Sequence, residues 1–174
     1  YQRETARSIR RTPFYHRLRE QGACFTETQG WERPGWYAPE GITPQYDYSF
    51  GRQNWFEYAL EEQRAARERV AIVDYSMLGK ISVEGVGAEA FLQRVCTNNM
   101  AMACGRIAYT LLLNERGGIE SDVTVARYAD DHFMVMSSIA RTRRDYLWLA
   151  ALIEPEEQVK LRDETASLGV LGLM

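Results

Sequence analysis

The stretch Arg106–Ala126, RIAYTLLLNERGGIESDVTVA, reads as two β-strands joined by a turn. Apolar and β-branched residues flank the polar segment Asn114-Glu115-Arg116-Gly117-Gly118, and paired glycines supply the positive φ that tight hairpins require. Side chains alternate along a strand. Counting in twos therefore puts Ile119, Ser121, Val123 and Val125 on one face and Glu120, Asp122, Thr124 and Ala126 on the other. A carboxylate, Asp122, thus stands mid-strand. Aspartate is depleted in strands, and a residue that contradicts local propensity is where a functional site is to be sought. The same pattern also describes the wetted face of an edge hairpin.

Outward from this ribbon, the chain of 174 residues fits one medium domain or the first part of something larger, and is long enough to bury a core. Its 45% hydrophobic and 26% charged residues are ordinary for a globular protein, and a net charge of -3 gives no general attraction to nucleic acid or acidic membrane. Arg3, Arg7, Arg10 and Arg11 cluster at the front and Arg141, Arg143 and Arg144 further on; solvated helix termini explain both more economically than a phosphate site. Three cysteines, Cys24, Cys96 and Cys104, cannot all pair and show no metal-ligand spacing, so no metal is expected. Reduced, mostly buried thiols are the default and point to a reducing compartment; the expected location is cytoplasmic or, in a eukaryote, the mitochondrial matrix. No apolar run approaches the roughly 20 residues of a membrane helix, and no secretory signal is visible. A start at Tyr1 and a stop at Met174 inside an apolar, strand-like run suggest a fragment.

Two regions are expected: residues 1–55, an N-terminal helix and an aromatic-rich strap, and residues 56–174, an α+β domain. The opening segment to Gln21 reads as a short helix packed by its aromatic side. Gly30 to Trp55 carries Trp31, Pro34, Trp36, Tyr37, Tyr46, Tyr48, Phe50 and Trp55; its glycines and prolines predict no regular element, and its rings predict a packed strap. Those rings are either an interface with another domain or local core. Asn54 is the expected N-cap of a helix running to Val70, with Glu57 completing a capping box. Strands follow at Ile72–Asp74 and Gly79–Glu84. Gly85-Val86-Gly87 lacks the third glycine of a dinucleotide loop and leads instead into a helix over Ala88–Val95. After the hairpin come a turn at Ala129–Asp131, a strand over His132–Met136, a helix over Ala140–Ile153 ended before Pro155, and strands at Val159–Arg162 and Ser167–Leu173. The order β, α, β, β, β, α, β, β with hairpin connections demands a mostly antiparallel sheet with helices on one face, an α+β fold.

His16 and His132 nominate no nucleophile and base pair, and aromatics do not alternate with basic residues as a nucleic-acid platform requires. Tyr109, on the first hairpin strand, is either a ring lining a ligand site near Asp122 or an ordinary cross-strand aromatic.

Several stretches in order resemble the glycine-cleavage T-protein family, the tetrahydrofolate-dependent aminomethyltransferases. They are Arg11-Thr12-Pro13-Phe14-Tyr15, Gly30-Trp31-Glu32, Val73 to Lys80, Gly85 with Ala88 to Leu92, Leu113 to Ile119 leading to Asp122, and Asp145-Tyr146-Leu147-Trp148. The strap, Arg52 to Glu57 and Leu168 to Gly172 resemble the folate-binding half of dimethylglycine and sarcosine dehydrogenases, where an FAD domain oxidises an N-methyl amine and the T-protein-like half passes the carbon to tetrahydrofolate.

The resemblance implies a tetrahydrofolate-dependent one-carbon transfer domain, with Asp122 as the catalytic residue. Leu78, Tyr109, Thr124, Met136 and Ser138 fall on positions that line the folate pocket. Leu78 stands where a methionine is usual, Ser138 where an asparagine is usual, and Ser121 where many T-proteins have a second aspartate. The implied partners are a flavin-bearing domain or subunit, with its FAD, and further T-protein-like domains; nucleic acid and membrane are not among them. Later folate contacts of the family lie beyond Met174, so the isolated 174 residues are expected to be inactive. Partial desolvation of Asp122 at the bottom of a funnel is expected to raise its pKa. The runner-up is a non-catalytic folate-binding or scaffolding module of the same fold.

Overall fold

The structure is a computed structural model that describes residues 3–174. In chain order its elements are α1 (Tyr15–Glu20), β1 (Ala23–Thr28), β2 (Trp31–Tyr37), α2 (Phe56–Glu68), β3 (Ile72–Asp74), β4 (Gly79–Glu84), α3 (Ala88–Val95), β5 (Ile107–Leu113), β6 (Ile119–Ala129), β7 (His132–Ser137), α4 (Thr142–Ala151), β8 (Lys160–Asp163) and β9 (Leu171–Leu173). All ladders between these strands are antiparallel, which makes the fold α+β as expected. The chain packs as two units. One runs to Met77 and takes in Gly169–Met174; the other is Leu78–Leu168. The boundary expected after Trp55 lies inside the first unit.

The second unit is a five-stranded sheet in the order β5-β6-β7-β4-β8. From β4 onward the elements follow the order read from sequence. The alternation predicted for β6 holds from Ser121 to Val125, where Ser121, Val123 and Val125 are buried and Asp122 is exposed; Ile119, expected on the buried face, is exposed, and Ala126, expected on the outer one, is buried. Val123 and Val125 join Ile81, Val83, Phe133 and Val135 in one core with Phe91 and Leu92 of α3 and Leu149 of α4. Both helices therefore cover one face. Each fully buried Val, Leu or Phe here contributes roughly 1.5–3 kcal/mol of transfer free energy.

The first unit holds two ribbons, β1-β2 and β3-β9. The β1-β2 hairpin corrects the expectation that the strap lacks regular structure. Pro34 lies within β2, and a two-stranded ribbon accepts it because such a ribbon has only edges. Gly35 is the extra residue of a bulge between Cys24↔Trp36 and Phe25↔Pro34. A Cβ there would lie 1.8 Å from the Tyr46 hydroxyl, so only glycine admits that ring. Trp36, fully buried, stacks on Tyr58 at 5.5 Å, with Tyr46 and Trp55 packed beside it. These rings are local core, whereas Tyr48 and Phe50 stay exposed. Burial pushes the Tyr46 phenol up to about 12.

Two smaller expectations fail for local reasons. Asn54 is not the cap of α2, whose N-cap is Trp55 with no side-chain bond. Its amide instead ties the strap, accepting from Asp47 N and donating to Gln45 O. The apolar stripe of α2 is only half-buried, and Val70 lies outside the helix and is exposed.

A buried carboxylate pins the start of this unit. Glu32 is 2% exposed and receives Arg7 Nε at 2.8 Å, Arg7 Nη2 at 2.5 Å and Ser8 N at 2.6 Å. The bond from Arg7, ahead of the other causes, holds the Glu32 carboxyl below the usual carboxylate value of 4.5. A lowered folded pKa stabilises the fold above the unfolded value and loses that contribution as pH falls through the folded one. Glu32→Gln is expected to lower unfolding free energy by about 1–3 kcal/mol at neutral pH and to flatten the acid limb of the stability profile below about pH 4.5. Denaturant titrations from pH 7 to 2 check both, and parallel acid limbs in variant and parent would contradict the linkage.

Candidate functional site

The β5-β6 turn fixes which side chains reach which face. Asn114 Oδ1 accepts from Arg116 N at 3.0 Å and Gly118 N at 2.9 Å, and Gly117 supplies φ 76°. Leu113 pairs with Ile119 and Leu112 with Ser121, so Glu120 is the extra residue of a bulge. Its carbonyl accepts from Arg141 Nη2 at 2.6 Å and Arg144 Nη1 at 2.7 Å, and its carboxylate takes Arg144 and Asn114 Nδ2. The bond from Asn114, with those from Arg144, holds the Glu120 carboxyl below its ordinary value. Two arginines of the second basic cluster are therefore clamps on this bulge rather than solvated termini.

Beyond the bulge the register brings the sequence-nominated residues onto the sheet face away from α3 and α4. Tyr109 pairs with Thr124, Thr124 with Met136 and Met136 with Lys80, which makes one row across four strands. In the next row Asp122 pairs with Leu111. Ser137 pairs with Gly79, and Ser138 and Leu78 each stand one residue further, where the same register leads to the row of Asp122. Two residues along a strand span about 7 Å and neighbouring strands lie about 4.8 Å apart, so these positions make one compact patch. Tyr109, Asp122 and Ser138 are exposed, and Leu78, Leu111, Thr124 and Met136 are half-buried.

Tyr109 and Asp122 are diagonal neighbours, within reach of an aromatic side chain. The Tyr109 hydroxyl donates to Asp122 Oδ2 at 3.1 Å. That bond, followed by burial and the charge of Asp122, raises the phenol above its ordinary value of 10. The phenol is therefore a donor at neutral pH, and it engages Oδ2 of Asp122. The expected burial of Asp122 is corrected by its exposure, because both helices cover the opposite face and β5 is an edge strand.

Sequence reasoning missed a second carboxylate, on the helix side. Asp145 of α4 is 1% exposed, and its Oδ2 accepts from Ser121 Oγ at 2.8 Å and from Ser137 Oγ. The signal was its place at the head of the Asp145 to Trp148 stretch. It also gives Ser121 a reason: a second aspartate at 121 would set two carboxylates against each other in the core.

Elsewhere, among the described residues no three His, Cys, Asp or Glu side chains are grouped to hold a metal, and no helix is long and apolar enough to cross a membrane. His16 is exposed, and half-buried His132 contacts Ser82 Oγ at 3.2 Å. A concavity of about 540 Å3 lies between α3, the hairpin turn and α4, and none of the six nominated residues lines it.

Asp122→Asn is expected to return the Tyr109 phenol toward its ordinary value, read by NMR titration of ring-labelled tyrosine. An unmoved titration would contradict the hydrogen bond. Ser121→Asp is expected to destabilise by about 3–5 kcal/mol, and denaturant unfolding at the parent's midpoint would contradict the buried arrangement.

The sequence profile described as GCVT N-terminal domain matches residues 14–174. The chain is 40% identical over 173 residues to a 4-methylaminobutanoate oxidase (formaldehyde-forming) of Paenarthrobacter nicotinovorans, covering 99% of this chain and 21% of that protein. It is 30% identical over 176 residues to the mitochondrial pyruvate dehydrogenase phosphatase regulatory subunit of Mus musculus, covering 98% of this chain and 20% of the other. Sarcosine and dimethylglycine dehydrogenases and aminomethyltransferases are further relatives. The crystal structure of glycine cleavage system aminomethyltransferase T from Bartonella henselae superposes with a TM-score of 0.71 at 23% identity, over 95% of this chain and 40% of that one; the likeness is one of fold. The chain thus spans about a fifth of the two curated relatives described.

Proposed function

Because the chain belongs to the GCVT N-terminal domain family, we propose that it is the part of a larger protein that carries one-carbon transfer to tetrahydrofolate, with Asp122 at the reacting carbon. What supports this reading is the single patch formed by Tyr109, Thr124 and Met136 in one row and Asp122, flanked by Leu78 and Ser138, in the next. The residues suit such a coenzyme on one side. Tyr109, Leu111 and Met136 offer apolar area to a flat ring, Thr124 offers a hydroxyl, and the free oxygen of Asp122 is an acceptor for a ring N–H. When bound, tetrahydrofolate supplies the nitrogen that takes up the carbon.

Asp122 has two tasks. Its negative charge stabilises a cationic carbon donor, and it accepts the proton displaced when the new carbon–nitrogen bond forms. Tyr109 keeps the carboxylate oriented by holding Oδ2. The remainder of the larger protein supplies the cover that this face needs to exclude water, from further T-protein-like domains, and a flavin-bearing domain or subunit whose FAD oxidises the N-methyl amine. Both assignments fit a chain that spans about a fifth of an amine oxidase relative.

A second reading, folate binding or scaffolding without carbon transfer, is favoured by the exposure of Asp122. One experiment separates them. In the full-length protein, Asp122→Asn is expected to lower methylene-tetrahydrofolate formation by at least about a hundredfold while reduction of the flavin by the amine continues. Equal transfer in variant and parent removes Asp122 from the mechanism, and folate binding with no transfer in the parent itself selects the second reading.

A further inference from the structure

The first unit carries a basic concavity that the one-carbon reading does not use. Arg3, Arg7, Arg11 and Arg19 line it together with Tyr15, Tyr46 and Tyr48, and its volume is about 610 Å3, the size of a small-molecule site. Glu4 and Glu32 are its only acidic residues, which leaves an excess of positive charge in a chain whose net charge is -3.

The arginines are not equivalent. Arg7 is taken by the buried Glu32 and also donates to Phe25 O at 3.0 Å. Arg3, Arg11 and Arg19 are exposed, and among the described residues none lies within ion-pairing distance of a carboxylate. The Arg11 guanidinium rests over the Tyr15 ring at 4.8 Å, a contact that orients its fork of donors without neutralising it. The wall is also held rigidly. Ala6 and Ser8, on either side of Arg7, have φ 57° and 61°, left-handed backbone that such residues seldom adopt and that persists only where its surroundings over-determine it. The Glu32 bonds to Arg7 and Ser8 N do so here. Tyr46 and Tyr48 stack on each other at 6.0 Å and give the concavity an aromatic side.

We propose that this concavity binds a small multivalent anion bearing carboxylate or phosphate groups, through Arg3, Arg11 and Arg19. Guanidinium forks match both groups bidentately, and three forks lining one space without an ion pair among the described residues favour a ligand with more than one such group. The concavity shares no residue with the Asp122 patch, and its test reads binding alone.

Isothermal titration of the full-length protein with citrate and, separately, with pyrophosphate, at about 0.15 M ionic strength, is expected to show one saturable site. Tighter citrate assigns a carboxylate ligand, and tighter pyrophosphate a phosphate. The R11Q/R19Q variant is expected to bind at least tenfold more weakly. Because Arg11 also packs on Tyr15, R3Q/R19Q, which leaves Arg11 on that ring, is measured beside it, and the same loss is expected. No saturable heat with either anion, or undiminished affinity in both variants, overturns the proposal.

Discussion

A slip of one residue between β5 and β6 would exchange Ser121 with Asp122, and the one-carbon reading of this chain depends on that slip not happening. Alternation along a strand is strict, so register decides which hydroxyl and which carboxylate enter the core. Three devices set it. Asn114 closes the turn through Arg116 N and Gly118 N, Glu120 is absorbed as a bulge held by Arg141 and Arg144, and Ser121 is drawn inward by the buried carboxylate of Asp145. Asp122 faces outward because its neighbour is fastened inward. Its character as a candidate reactive group is thus a consequence of hydrogen bonds made on the other side of the sheet.

The same sheet divides stability from chemistry. On the helix side, Val123, Val125, Phe133 and Val135 are packed against α3 and α4 with almost no exposure. On the outer side, Tyr109 keeps 62% of its surface and Asp122 is exposed. Lys80, at the far end of the row of Tyr109, is 1% exposed, so the outer face is open at its β5 edge, where the strands hold Tyr109 and Asp122 at fixed spacing and leave them accessible.

Much of this was legible in the chain itself. The Gly-Gly turn with its flanking β-branched residues gave the hairpin, and period-two counting gave the correct face for Asp122 because one side of that ribbon is apolar. The helix at Ala88–Val95 came out to the residue, since Phe91 and Val95 repeat at helical spacing after two turn glycines, although Ala90 beside them is exposed. The β1-β2 hairpin stayed hidden because Pro34 and Gly35 are signals against a strand, and what overrides them, the Tyr46 hydroxyl lying on Gly35, comes from a residue outside both strands. Asn54 looked like a cap because capping is read locally, while its amide bonds to Gln45 and Asp47. The burial expected for Asp122 failed for a related reason: a row of positions specifies a face, and what covers that face is set by other chain segments. Asp145 was visible only as part of a motif, since neither charge nor periodicity distinguishes a buried helical carboxylate from a solvated one.

The claim on which the account turns is that the outer rows of this sheet, and not its helix-covered side, meet the folate. Methyl NMR of the full-length protein with labelled methionine, titrated with a stable reduced folate, tests it directly, because Met136 lies in the outer row beside Thr124 and Met100 lies fully buried in the helix-side core. Saturable movement of the Met136 methyl with Met100 unmoved is the predicted result. Movement of Met100 with Met136 unmoved would contradict the account.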